Sequence, residues 1–394
     1  MKKRAFKGNH KGGTMQFRLL GKTGLKVSEI GFGGEWIKGD DPEGARALVK
    51  HAEEAGINIV DCWMADPAVR KALGDAVCAN RDHWIVQGHF GSTWQEGQYK
   101  RTRIIDLVEE AWEHELACFG GHIEIGMIHY VDEVEEYESI MAGPFLDYVK
   151  EEKAKGHIDH IGISTHNPDV ALSACYDKDI EMIMFSLNPA FDMLPPSEDI
   201  NVMFAETYDE GLSGIDRKRA ELYRTCALTG TGITVMKPFA GGRLFDAEKS
   251  PFGAALTPTQ CIHYCLTRPA VASVMAGFKN QEECDGCVAY ETATDDEKAY
   301  GVILANAPAH AYFGQCIYCG HCQPCVSGIN IAEVNKFSDL ALAHDTVPES
   351  VREHYTALSA HASDCIGCKS CEPNCPFGVH IADRMAQTTQ LFGL

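Results

Sequence analysis

Two short runs of cysteine stand near the end of the sequence. The first reads Cys316-Ile-Tyr-Cys319-Gly-His-Cys322-Gln-Pro-Cys325, and the second reads Cys365-Ile-Gly-Cys368-Lys-Ser-Cys371-Glu-Pro-Asn-Cys375-Pro376. Two-residue spacing lets one tight loop aim three thiolates at three corners of an iron–sulfur cube, so the fourth ligand must come from farther away. The second run has the C-x2-C-x2-C-x3-C-P spacing, in which the fourth cysteine serves the other of two clusters. The expected ligand sets are Cys316, Cys319, Cys322 and Cys375 on one [4Fe–4S] cluster, and Cys365, Cys368, Cys371 and Cys325 on the other. Zinc knuckles use paired cysteines in each half-site, so triplets with a distant fourth favour iron. His321 reads as a solvated loop histidine, and Pro376 ends the loop because it cannot continue a helix.

The chain carries 17 cysteines, an odd number, with no secretory leader, which points to a reduced, cytoplasmic setting with metal-bound thiolates rather than disulfides. The cysteines outside the runs read as small buried hydrophobes, among them Cys78, Cys118, Cys175 and Cys226. Cys261 and Cys265, four apart on a helix, and the pair Cys284-Asp-Gly-Cys287 are expected to be packing residues too. Cys62, beside Asp61, is the scattered cysteine closest to a polar candidate. The net charge of −21 excludes an electrostatic nucleic-acid partner. No apolar run is long enough to span a bilayer. Residues 1–15 begin with a basic stretch (Lys2, Lys3, Arg4, Lys7, Lys11) without an apolar core, which reads as a flexible leader.

These groups need a scaffold, and the sequence from 27 to about 290 describes one. Short apolar runs at 29–33, 57–61, 84–89, 123–129, 160–164, 182–185, 232–236 and 274–276 predict strands. Amphipathic stretches at 41–55, 68–79, 100–119, 140–155, 168–174, 217–229, 257–267 and 280–289 predict the intervening helices. Eight strands each followed by a helix predict parallel pairing and a (β/α)8 TIM barrel. A doubly wound open sheet is the runner-up, weakened by the lack of a Gly-x-Gly-x-x-Gly after the first strand. Residues 17–27 predict a hairpin with Gly21 and Gly24 at its turn, placed to plug the barrel floor. Residues 189–214 form a long insertion that is a candidate cover for the barrel mouth. The expected organisation is a leader at 1–15, a barrel at 16–300 and a small α-rich ferredoxin-like domain at 301–394.

The sequence also resembles the aldo/keto reductase family, in particular its branch with a C-terminal ferredoxin domain. The resemblance rests on the stretch from Arg18-Leu-Leu-Gly-Lys-Thr-Gly to Ile30-Gly-Phe-Gly-Gly34, on Ala55-Gly-Ile-Asn-Ile-Val-Asp61, on Ile128-His129, on Gly162-Ile-Ser-Thr165 and on Met236-Lys-Pro-Phe-Ala-Gly-Gly242, in the family's order. It implies hydride transfer between NADP(H) or NAD(H) and a carbonyl, with a catalytic aspartate, tyrosine, lysine and histidine. Carried over residue by residue, the aspartate matches Asp61 and the histidine His129. Asp66 stands in the tyrosine's place and His89 in the lysine's. An aspartate donates a proton near neutral pH only if its pKa is raised strongly, whereas a histidine titrates there unaided. Two carboxylates and two imidazoles also make a ligand set for an additional divalent metal. The acid–base cluster without metal is the preferred reading.

For the cofactor, the resemblance and the loop after the last strand single out Ser164, Asn188, Lys237, Gly277, Lys279 and Asn280. The family's adenine contacts are replaced by Glu283 and Cys287. The sequence therefore predicts an iron–sulfur oxidoreductase acting on a small carbonyl or alcohol substrate, with a redox protein as partner. One alternative is a nicotinamide-independent enzyme using the Asp/His pocket. Another is an electron-transfer module without catalysis.

Overall fold

The computed structural model describes residues 15–193, 215–305, 316, 322–342, 346–375 and 379–394. Residues 1–14 of the leader expected at 1–15, most of the insertion at 189–214, and Cys319, His321 and Pro376 lie outside the described residues, whereas Met15 is buried in the barrel unit's core. The described chain divides into two compact units, the first reaching through the helix Gly301–Ala305 and the second containing the cysteine runs.

The first unit is a closed parallel barrel. Its strands are β3 (Ile30–Gly33), β4 (Ile59–Cys62), β5 (Ile85–Phe90), β8 (Ile123–Ile128), β9 (Ile158–Thr165), β10 (Met182–Ser186), β11 (Gly232–Met236) and β12 (Val271–Gly277), and β12 pairs back onto β3. All eight expected strands are present, and the closed ring removes the open-sheet alternative. Strands covered on both faces read as near-continuous apolar runs, which is why they stand out in the sequence.

Several helices announce themselves by a cap followed by proline. Asp41 precedes Pro42–Glu54, Asp66 precedes Pro67–Cys78, Asn167 precedes Pro168–Tyr176, and Thr257 precedes Pro258–Leu266. In each, the side-chain oxygen accepts from a first-turn amide, and proline fills a position whose N–H would have no helical partner.

The hairpin β1 (Phe17–Leu19) and β2 (Lys26–Ser28) closes the barrel floor. Leu20 and Val27 are fully buried with Ile59, Ile125, Met127, Met182 and Met184. A Cβ at Gly21 would run into the carbonyl of Gly230 and the amide of Gly232, so only glycine permits this approach.

Two expectations change. The helix expected at 100–119 is Ile105–Cys118, and the residues before it form β7 (Gln98–Arg101), paired antiparallel with β6 (Ser92–Gln95). Glu96 and Gly97 make the turn with φ of +55° and +78°, the signature of a tight two-residue hairpin. The helix expected at 140–155 is two, Val134–Met141 and Pro144–Ala154, separated at Gly143-Pro144.

The second unit packs the helices Ile331–Leu342, Glu349–Thr356 and Ile381–Phe392 around Ile329, Val334, Tyr355, Val379, Met385 and Phe392. Tyr355 stacks on Phe392 at 3.9 Å between ring centroids. Arg384 bonds Asn335 at 2.7 Å and Asp339 at 2.6 Å, locking the last helix to the first. Among the described residues no helix is long and apolar enough to cross a membrane.

Candidate functional site

Asp61 and His89 are the penultimate residues of β4 and β5, and His129 follows β8, so all three stand at or beside strand C-termini. In a parallel barrel this is the end where loops build sites. The strand period of two turns Gln87 and His89 to the same side, towards Asp61. The three side chains are buried and joined: His89 Nε2 lies 2.9 Å from Asp61 Oδ1, and His89 Nδ1 lies 2.8 Å from His129 Nδ1. Gln87 Nε2 donates to the same Asp61 oxygen at 2.9 Å. His129 Nε2 meets the Tyr99 hydroxyl at 2.8 Å. The result is one hydrogen-bonded row, Tyr99–His129–His89–Asp61.

Tyr99 is the residue that sequence reasoning missed. It sits on β7, one position before the stretch read as helix at 100–119. The legible signal was the ten residues Ser92-Thr-Trp-Gln-Glu-Gly-Gln-Tyr-Lys-Arg101, two short strand-like segments around Glu96-Gly97.

The row is held from behind. Arg70 and Glu115 form a fully buried ion pair at 2.8 Å. Arg70 also donates to the carbonyls of Met64, Ala111 and Ser92, at 2.7, 3.0 and 3.0 Å. Glu115 in turn accepts from the His89 amide at 3.2 Å. One buried pair thus ties the β4 loop, the helix Ile105–Cys118, the hairpin and β5 together. Burial pushes the Glu115 carboxyl up to about 7, against the opposing charge of Arg70. Burial pushes His129 well below the usual imidazole range, and the guanidinium charges of Arg103 and Arg101 push it the same way, which disfavours the charged imidazole.

Asp132 anchors the loop after His129. It accepts from the His166 amide at 2.6 Å, His166 Nδ1 at 3.0 Å and the Thr165 hydroxyl at 3.1 Å. Burial opposes its ionisation, but the charge and hydrogen bonds of His166 prevail and hold its pKa at about 2. A carboxylate depressed in the folded state stabilises the protein above the unfolded pKa, about 3.9. That contribution is lost as pH falls from there through 2. Urea midpoints measured between pH 6 and 2.5 are expected to fall more steeply for the wild type than for Asp132→Asn, and parallel curves would contradict this assignment.

Asp66 is placed differently from the other three. Its Oδ1 accepts from the amides of Ala68 at 2.8 Å and Val69 at 3.4 Å, as the cap of Pro67–Cys78, and it makes none of the hydrogen bonds of the row. Asparagine caps as well as aspartate. Asp66→Asn is therefore expected to keep turnover within a few-fold of wild type, whereas Asp66→Ala costs about 1 kcal/mol of stability by urea unfolding. Loss of turnover in the asparagine variant would return Asp66 to the chemistry.

The polar atoms of the pocket do not fit a divalent metal. Both ring nitrogens of His89 and of His129 are spent within the row, and among the described residues no three of His, Cys, Asp and Glu are grouped to hold one ion.

The residues singled out for a dinucleotide do not fit its phosphates either. The Lys279 amide donates to Glu283 Oε2 at 2.8 Å, and the Glu283 amide donates to Asn280 Oδ1 at 2.9 Å. The start of Gln281–Val288 is thus capped by its own chain, with Glu282 and Glu283 in the first turn. The Glu35 carboxylate packs against Gly277, and the Lys279 ammonium lies 4.3 Å from the centre of the Trp36 ring. Asn188 Oδ1 accepts from Ala190 and Phe191, both at 2.9 Å, and its amide donates to the Lys237 carbonyl at 2.9 Å. Ser164 Oγ accepts from the Tyr130 amide at 2.8 Å.

In the second unit, Cys325, Cys365, Cys368 and Cys371 line one cavity, with Ile331, Ile381 and Met385 on its apolar wall. Gly367 and Lys369 have φ of +68° and +57°, so the chain turns twice between the first and third of these thiols in Cys365–Cys371. Cys316, Cys322 and Cys375 pack on the apolar core of the same unit. Among the described cysteines none forms a disulfide. Among the described residues these cysteines, like the other His, Cys, Asp and Glu, form no group of three or more placed to hold one metal ion. Elsewhere Cys62, Cys261, Cys265, Cys284 and Cys287 are buried, and burial raises the Cys62 thiol far above its ordinary range.

Residues 29–260, more than half of the chain, match the model of the aldo/keto reductase family. Among curated proteins none matches. Among solved structures, the aldo-keto reductase AKR11C1 of Bacillus halodurans in its holo form superposes with a TM-score of 0.58 at 22% identity, over 75% of this chain and 97% of its own. A putative aldo-keto reductase of Pseudomonas aeruginosa superposes with a TM-score of 0.52 at 19% identity, over 70% and 94%. At these identities the superpositions speak for the fold alone, and they agree with the closed barrel. By the family model over its barrel, the chain belongs to the aldo/keto reductase family.

Proposed function

We propose that this chain is an iron–sulfur oxidoreductase acting on a small carbonyl or alcohol at the barrel mouth, with two [4Fe–4S] clusters in a ferredoxin-like C-terminal domain serving as its electron carriers. The observation that carries the reading is the cavity walled by Cys325 and by Cys365, Cys368 and Cys371. It brings a thiol of the first run to the three thiols of the second, as crossed ligation requires. Cys316, Cys322 and Cys375, with Cys319, would hold the other cluster. When bound, such a cluster accepts and returns single electrons. Ile331, Ile381 and Met385 line one side of the cavity while Cys368 is exposed, and the access of water to the sulfurs is a lever on reduction potential. In the barrel, Asp61, His89 and His129 form a buried acid–base set suited to moving the proton that a carbonyl gains or an alcohol loses.

The taken amides at Lys279 and Glu283 favour a second reading in which no nicotinamide takes part. Two anaerobic measurements on purified protein test the two readings. Iron and sulfide content near two cubes per chain, with cluster paramagnetic resonance after reduction, supports the first; zinc without iron would refute it. Calorimetric titration with NADPH and NADH is expected to give no heat of binding, and tight binding of either would remove the second reading. A redox protein able to meet an acidic surface is the expected partner.

A further inference from the structure

The hairpin after β5 brings a phenol to the His129 end of the buried row. Tyr99 Oη lies 2.8 Å from His129 Nε2. Trp63 is parallel to the His129 ring at 6.3 Å and edge-on to the Tyr99 ring at 5.8 Å, so both rings are fixed by one neighbour. The Arg70 bond to the Ser92 carbonyl and the Thr102 amide bond to Gly91, at 3.0 Å each, hold the hairpin's base. This tyrosine comes from a part of the chain far from Asp66, where the family resemblance would place one.

The direction of the row follows from counting donors. An ionised Asp61 can only accept, so His89 Nε2 carries a proton towards it. His89 Nδ1 is then an acceptor and takes the proton of His129 Nδ1. That leaves His129 Nε2 as acceptor for the phenol O–H. Every hydrogen bond is satisfied with both imidazoles neutral, and burial of His129 disfavours its charged form.

We propose that Tyr99 is the catalytic residue that exchanges a proton with the substrate oxygen, and that His129, His89 and Asp61 form the wire behind it. The proposal rests on the carbonyl/alcohol reading above. For an alcohol, the substrate O–H bond breaks as a new O–H bond forms on the phenol oxygen. The phenol's own proton passes to His129 Nε2, that of His129 Nδ1 to His89 Nδ1, and that of His89 Nε2 to Asp61. The substrate loses one proton, Asp61 gains one, and each imidazole ends neutral as the opposite tautomer. Protonation of an alkoxide runs the same shifts in reverse. The Arg103 guanidinium, which donates to the His129 carbonyl at 2.7 Å, places a positive charge near Tyr99 that favours negative charge on the phenol oxygen. Among the described residues, Glu136 pairs with both Arg101 and Arg103, at 3.1 Å each.

The test uses anaerobic holoprotein and a panel of short aldehydes, ketones and alcohols, with reduced or oxidised viologen as the electron partner. In Tyr99→Phe, kcat is expected to fall ~100-fold or more, with the cluster spectrum unchanged and KM within a few-fold. Fluorinated tyrosine at position 99 is expected to shift a limb of the pH–rate profile by the difference in phenol acidity, which a purely structural role would not do. Full turnover of Tyr99→Phe, or an unmoved limb, overturns the role of Tyr99 alone. A wild type that turns over none of the panel overturns the carbonyl/alcohol reading, and the role of Tyr99 with it. Nitrogen-15 spectra of histidine-labelled protein read the wire without substrate. A neutral His129 protonated at Nδ1, whose Nε2 resonance moves in Tyr99→Phe, supports it; a doubly protonated His129 at neutral pH contradicts it.

Discussion

Replacing His89 by glutamine is expected to lower turnover ~10²–10⁴-fold while leaving the fold and the cluster spectrum intact. His89 is the middle of the row, 2.9 Å from Asp61 and 2.8 Å from His129, with almost no solvent contact. A glutamine amide offers a donor for Asp61 and an acceptor for His129, so neither neighbour is left unpaired in the interior. It cannot pass a proton from one side to the other. The substitution therefore separates proton transfer from packing, which an alanine would not do because it also opens a cavity. Circular dichroism and the melting temperature check the fold. Turnover within threefold of wild type would show that the row is only a brace for the barrel mouth.

If two clusters are ligated as proposed, replacing Cys371 by serine is expected to reduce iron and sulfide content by about half, because one of them would lose a corner. The same loss is expected for Cys325→Ser, although Cys325 belongs to the other sequence run. That equivalence is the sharper test, because it follows from the shared cavity of Cys325, Cys365, Cys368 and Cys371 and not from sequence adjacency. The barrel is a separate compact unit and should melt as before. Undiminished iron in either variant would mean that the thiols at this cavity do not hold a cluster.

How much of this was legible beforehand depends on the kind of signal. The barrel strands are buried on both faces, so Gly232–Met236 appears as an apolar run with matching bounds and Ile123–Ile128 as one that differs by a single residue. The helix starts are legible because capping is local: Asp41-Pro42 and Thr257-Pro258 carry their own stop and start. Asp61, His89 and His129 could be placed at the rim from strand ends, and alternation already puts Gln87 on the face of His89. The same local chemistry misleads at Asp66 and Asn280, where a cap and a site residue have the same sequence appearance. Their side chains were read as chemistry and are found satisfying first-turn amides. Tyr99 was illegible as a partner of His129 for a different reason. Thirty positions separate them, and only the register of a rim hairpin, fixed by Glu96-Gly97 and by the buried Arg70, brings them together.

The most direct test of the account is a rapid-mixing experiment on viologen-reduced protein without nicotinamide. Mixed anaerobically with short aldehydes and ketones, the wild type is expected to regain its oxidised cluster absorbance as the alcohol appears, and His89→Gln is expected to stay reduced. Clusters that remain reduced in the wild type against every carbonyl, yet are reduced promptly by NADPH, would contradict it.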